Sequence, residues 1–274
     1  MINFFQDIIQ YSFLQQAIIA GLLACVACGI TGSLVVVKKM TYVSGGMAHA
    51  IFGGVGIAYY FGMHPLIGAL MFAILASVLL GLLKLKLAQK EDTLISAFWS
   101  LGMAVGIIFM YLKPGYNVDL MSFLFGNILM VSKQDVLILV ILDLVICLIT
   151  FFYYRQLMFV CFDEEYTSIR GFSKKYLYIL LLCVISMTVV VLMQIVGLIL
   201  VIALLTLPAS IAGMFSRNLG AMMRWAVLFG MIFIILGLFF AYHFNIPSGA
   251  AIIVLTTAGY ILAIILKKVF RISH

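Results

Sequence analysis

The sequence predicts an all-α polytopic membrane protein, and three observations predict it. The 274-residue chain is 66% hydrophobic and only 9% charged. Uncharged stretches recur along its whole length, each long enough to cross a hydrocarbon core about 30 Å thick at about 1.5 Å rise per residue. Its basic residues fall between those stretches in small clusters, where they act as topology signals. A soluble domain of this length needs far more polar surface, so soluble enzyme classes are excluded. A net charge of +7 alone would suggest nucleic acid, but its distribution points to the membrane and to no nucleic-acid partner.

The elements follow in order. The opening segment "MINFFQDIIQYS" lacks the basic start of a cleavable signal and reads as an amphipathic stretch at the interface. A first span over 14–37 ends at Lys38 and Lys39. The uncharged run from Lys39 to Lys84 is too long for one crossing, and "FGMHP", with Gly62 and Pro65, breaks it into spans 43–62 and 66–83. Spans 93–112 and 134–153 come next. The run from Lys175 to Arg217 divides at a tight turn over Gln194 to Gly197, giving 176–194 and 197–215. The run from Arg224 to Lys267 divides at "HFNIPSG", giving 225–243 and 249–266.

About nine spans place the termini on opposite sides. Of the sixteen lysines and arginines, fourteen fall on one side: Lys38, Lys39, Lys84, Lys86, Lys90, Arg155, Arg170, Lys174, Lys175, Arg217, Arg224, Lys267, Lys268 and Arg271. Only Lys113 and Lys133 fall on the other. The positive-inside rule therefore puts the N-terminus outside and the C-terminus in the cytoplasm. Residues 1–274 read as a single transmembrane domain without internal repeats.

The longest cytoplasmic loop, Arg155 to Lys175, carries "FDEEYTSIRG" within segment 156–175. Its acidic cluster, short helical pattern and glycine stop predict a small amphipathic helix lying along the membrane. That helix is either a solvated connector or a docking surface for a cytoplasmic partner. The chain has no G-x-x-x-x-G-K-[ST] and no hydrolase signature, so it is not expected to be an enzyme, and any ATP-driven motor is another polypeptide. The five cysteines lie in or beside apolar helices and read as packing residues without a disulfide framework.

Ionisable residues inside a membrane are costly, which makes each a functional candidate. They are His49 and Asp143. Asp143 sits in "LVILDLVICLIT", where a carboxylate must be protonated, paired or facing water. His49 sits in "GGMAHAIFGGVG", where Gly45, Gly53, Gly56 and Tyr60 fall near its helix face. Glycines there either admit a close neighbouring helix or line a narrow path, and His49 is the only strong ligand on that face. Imidazole suits zinc, iron and nickel and, less tightly, manganese. The alternative is a histidine bonded to a backbone carbonyl.

These residues also carry a resemblance. "GITGSLVVVKKMTYVSGGMAHAIFGGVGIAYYFG", "NVDLMSFLFGNILMVS", "FDEEYTSIRG", "VGLILVIALLTLPASIAGMF" and "NIPSGAAIIVL" together resemble the permease subunits of zinc/manganese/iron ABC importers. The resemblance implies a type II ABC importer-like permease fold in a bacterial cytoplasmic (inner) membrane. It implies a homodimer, two cytoplasmic ABC ATPase subunits and an extracytoplasmic metal-binding protein. Its cargo would be a divalent transition metal ion, with no permanently bound cofactor. The family's Asp-x-Glu-x-Ala-x-x-x-Gly coupling segment matches at Asp163, Glu165 and Gly171, with Glu164 between the acids and Thr167 in the alanine place. His49 carries over as a metal contact. The family's usual Asp-x-x-x-His pair has Gly45 in the acidic place, which leaves Asp143 as a second candidate ligand. Two other classes compete: a gradient-driven transporter using His49 and Asp143 as a proton relay, and an intramembrane enzyme.

Overall fold

A computed structural model describes residues 7–87, 91–113, 126, 128–197 and 201–269. In order these form α1 (Ser12–Lys38), α2 (Thr41–Tyr60), α3 (Pro65–Leu87) and α4 (Glu91–Leu112). A short 3-10 turn at Ile128–Met130 precedes α5 (Lys133–Phe152), α6 (Tyr154–Phe162) and α7 (Glu164–Ile169). The chain continues through α8 (Lys174–Val196), α9 (Val201–Phe215), α10 (Leu219–Phe244) and α11 (Ser248–Val269). No strand occurs among the described residues.

Among the described residues, seven helices are long and apolar enough to cross a membrane: α1, α3, α4, α5, α8, α10 and α11. The other two expected spans depart for different reasons. α2 has the length, at 20 residues, but its glycines, serine, histidine and tyrosines dilute its hydropathy. It is enclosed by protein along most of its length, from Val43 to Ala58. A helix that meets protein on most sides has no need of lipid-soluble side chains there. α9 has only 15 residues, about 22 Å at the usual rise.

Two helix ends also differ from the boundaries that the sequence predicts. α10 begins at Leu219, because the Asn218 side chain accepts the Ala221 N–H at 2.8 Å and caps it. Arg224 therefore lies inside the helix, exposed, rather than before it. α8 continues to Val196, past the expected turn at Gln194, and stops where Gly197 adopts φ +76°. Segment 156–175, expected as one short helix, is two, α6 and α7.

α2, α3 and α4 pack as one group and α9, α10 and α11 as another. α1 and α8 run between the groups and are the most buried of the spans, while α5 lies against both. Side-chain contacts sort the helix ends into two layers. At one end the Tyr42 and Ser96 hydroxyls bond at 2.6 Å, Lys38 Nζ donates to the Val160 carbonyl at 2.8 Å, and Lys84 Nζ lies 4.0 Å above the Tyr178 ring. At the other, Lys113 Nζ donates to the Tyr59 carbonyl at 2.6 Å, His64 Nε2 lies 3.4 Å from Asp135 Oδ1, and the Tyr242 hydroxyl donates to the Asp7 carboxylate. This is the alternation that a chain threading back and forth requires, and the heavily basic ends share one layer.

Candidate metal pathway at His49

Close packing between α2 and α4 positions His49. Gly102 and Gly106, four residues apart on α4, face Gly53 and Gly56 on α2. A Cβ added to Gly53 would stand 3.0 Å from the Gly102 carbonyl oxygen, and one on Gly56 would stand 2.6 Å from the Gly106 Cα. Small residues at such spacing let two backbones approach within a membrane. Of the two roles the sequence left open for Gly53 and Gly56, close helix approach is the one this geometry gives them. Gly45 is also met by protein: its added Cβ would lie 2.5 Å from Ile202 Cδ1 of α9. These three glycines border neighbouring helices, not an open path.

This approach brings Trp99 of α4 flat against His49. The ring centroids are 4.4 Å apart and the planes differ by 4°. His49 is half-buried, and its buried Nδ1 has no hydrogen-bond partner among the described residues. The carbonyl-bonded alternative therefore finds no such bond at Nδ1. The stack fixes the ring plane, and a metal binds imidazole in that plane, at the edge. Trp99 and Ile202 were not singled out from sequence. The signal for Trp99 was there, one of only two tryptophans, in a span carrying Gly102 and Gly106 at small-residue spacing.

Asp143 lies elsewhere. The residue is 5% exposed, and neither buried carboxylate oxygen has a hydrogen-bond partner among the described residues. It lines a groove of about 660 Å³ between α1, α5 and α10, with Leu23, Ile30, Val140, Cys147, Thr150 and Met223. Cys25 and Cys28 of α1 are within electrostatic range of it. α5 packs on α1 and α8, whereas α2 packs mainly on α4, α3 and α8, so the structure does not bring Asp143 and His49 together as neighbours. Among the described residues, no three His, Cys, Asp or Glu side chains converge as a metal site. One chain thus offers the imidazole without a ligand set around it.

Segment 156–175 is shaped by residues that the resemblance assigns to coupling. Asp163 Oδ1 accepts the N–H groups of Glu165 at 2.8 Å and Tyr166 at 3.0 Å, capping α7, which opens at Glu164. Thr167 is fully buried and donates to the Asp163 carbonyl at 2.8 Å. Gly171 closes the helix at φ +80°, its N–H reaching Ser168 O at 2.9 Å while Phe172 N–H reaches Thr167 O at 3.2 Å. That paired closure favours glycine in the left-handed position. Asp163 and Gly171 build the segment's shape; Glu165, Phe162 and Ile169 point outward, Ile169 being 82% exposed.

The pattern of the ABC 3 transport family matches residues 10–267. Over 263 residues the chain is 40% identical to a probable metal transport system membrane protein of Chlamydia trachomatis, covering 94% of this chain and 90% of that one. It is 33% identical over 260 residues to the manganese transport system membrane protein MntC of Listeria monocytogenes, covering 95% and 92%. Its fold matches the solved structure of PsaBC from Streptococcus pneumoniae in complex with Fab with a TM-score of 0.87 and 30% identity. That match covers 96% of this chain and 95% of that chain.

Proposed function

The chain belongs to the ABC 3 transport family, and from that premise we propose that it is the membrane-spanning permease of an ATP-driven importer of a divalent transition metal ion. Manganese is the first candidate cargo, on the strength of the names its relatives carry, with zinc and iron behind it. The permease works as a homodimer. Two separate ATPase subunits dock on the outward residues of α6 and α7, and an extracytoplasmic metal-binding protein delivers the ion to the opposite end. All nine long and short spans cross or line the membrane, with the N-terminus outside, following the fourteen-to-two division of basic residues.

One observation carries the site assignment: an imidazole held by a stacked indole midway along an enclosed helix, with no hydrogen bond at Nδ1 among the described residues. His49 is the eighth residue after Thr41, about 12 Å up the helix, which sets it well inside the bilayer. A lone pair on such a ring is available to a passing ion. A single imidazole from each protomer neither completes a coordination shell nor neutralises a divalent charge. Weak holding suits conduction, because an ion that binds must also leave. Asp143 has no part in this contact within one chain, since it faces a different groove.

The test is elemental uptake by cells carrying the chain with its ATPase, at matched protein level. His49→Ala should abolish uptake without loss of expression, because truncating one half-buried side chain leaves a small void. His49→Asp should retain some transport, shifted toward harder ions. Full transport of manganese, zinc and iron by His49→Ala would place the path elsewhere.

A further inference from the structure

The two lysines that end α1 read alike in sequence and differ in structure. Lys39 is exposed, caps α1 at φ +60°, and its N–H closes on the Val35 and Val36 carbonyls. A charge at the end of a span accounts for it. Lys38 reaches sideways across 122 residues of sequence, its Nζ donating to the Val160 carbonyl at 2.8 Å. Val160 supplies one of the last four carbonyls of α6, which a helix cannot satisfy internally. A cation there also complements the negative end of the helix dipole.

The contact is one part of a seam. Leu157 and Val160 of α6 are buried, at 0% and 1% exposure, and Cys161 Sγ lies 3.9 Å from the Leu34 carbonyl of α1. Asp163, the residue that ends α6, is also the cap that begins α7. On the other side of Lys38, only Lys39 and Met40 separate α1 from α2. A shift of α6 that pulls on Lys38 therefore reaches the first turn of α2, two turns below His49.

We propose that Lys38 is a positioning residue that links the cytoplasmic α6–α7 unit to the His49 helix, so that the state of a docked ATPase changes the setting of the metal contact. The proposal rests on the permease reading above. A parallel route through α8, which joins α7 and packs on α2, needs no Lys38 and makes the opposite prediction.

The experiment uses the full transporter, permease with ATPase, in vesicles of bacterial lipid, with manganese and its metal-binding protein. Basal ATP hydrolysis, hydrolysis stimulated by the loaded binding protein, and ions moved per ATP are read together. Lys38→Met should assemble with the ATPase and keep its basal rate, while ions moved per ATP and the stimulation fall by about tenfold, a usual size for coupling between sites. Lys38→Arg, which keeps charge and donors, should restore both. Wild-type stimulation and stoichiometry in Lys38→Met overturn the proposal. So does loss of ATPase association in that variant, which makes Lys38 a docking anchor. A wild-type chain that neither holds an ATPase nor moves metal fails the permease reading itself.

Discussion

His49 and Trp99 lie face to face, their planes 4° apart and their centroids 4.4 Å from one another. Because both faces of an imidazole are useless to a metal, the stack costs the ring nothing as a ligand and removes its freedom to turn. Aromatic pairs of this kind are worth about 0.5–1.5 kcal/mol beyond the area they bury. Trp99→Leu should therefore lower uptake by between about two- and tenfold, as that range converts, with His49 still present. Trp99→Phe should keep most of the activity. Manganese uptake at matched protein level checks both, and an unchanged rate in Trp99→Leu would mean the stack only packs.

Gly45 stands in the acidic place of the Asp-x-x-x-His pair that the resemblance implies, and a Cβ added there would lie 2.5 Å from Ile202 Cδ1. Restoring the acid alone should overpack the α2–α9 contact and destabilise the protein by about 1–3 kcal/mol. Gly45→Asp is expected to unfold earlier in detergent, and Gly45→Asp with Ile202→Ala to recover stability and bind manganese more tightly than wild type. Thermal unfolding with and without manganese distinguishes these outcomes.

Asp143 has two buried oxygens with no hydrogen-bond partner among the described residues and lies apart from the His49 helix. Asp143→Asn should leave uptake near the wild-type rate. Asp143→Leu should raise thermal stability, since replacing a buried unpartnered acid by an apolar group of similar size removes a desolvation cost. A loss of uptake in Asp143→Asn matching that in His49→Ala would put the acid on the ion's route.

Gly171 closes α7 in the left-handed region, with open space around a prospective Cβ. The cost of a side chain there is conformational, about 1–2 kcal/mol for alanine. Gly171→Ala should weaken ATPase association measurably, and Gly171→Pro, which also deletes the N–H bonded to Ser168, should abolish it. Neither should reduce membrane insertion, because the residue lies outside every span. Retention of the ATPase and uptake by both variants would make the segment a plain connector.

Most spans were legible because charge clusters and Gly–Pro breaks mark where lipid ends. That rule misled at Arg224, whose long side chain lies exposed on the helix while Asn218 sets its start. His49 was legible because an imidazole within an apolar run is conspicuous. Its indole partner was not, since the α2–α4 pairing that joins them is a tertiary contact across 50 residues. Asp163 was read as part of an acidic cluster, although an aspartate before a short helix is a capping signal in its own right. The departure of Asp143 from His49 follows from which helices pack, which spacing along a single chain does not encode.

The low hydropathy of α2 has a consequence for biosynthesis. Its broadest contact is with α4, with a smaller one to α8, both translated after it. As it emerges from the ribosome, this helix meets only α1 and then α3, and the glycine-rich side destined for α4 has no protein to meet. Lipid solvates that side poorly. Strictly sequential insertion would therefore leave α2 without its main packing partner until Gly102 and Gly106 arrive. A nascent chain halted before α4 should leave a cysteine at Ala50, whose backbone faces Gly102, open to an aqueous thiol reagent, and one halted after Leu112 should close it.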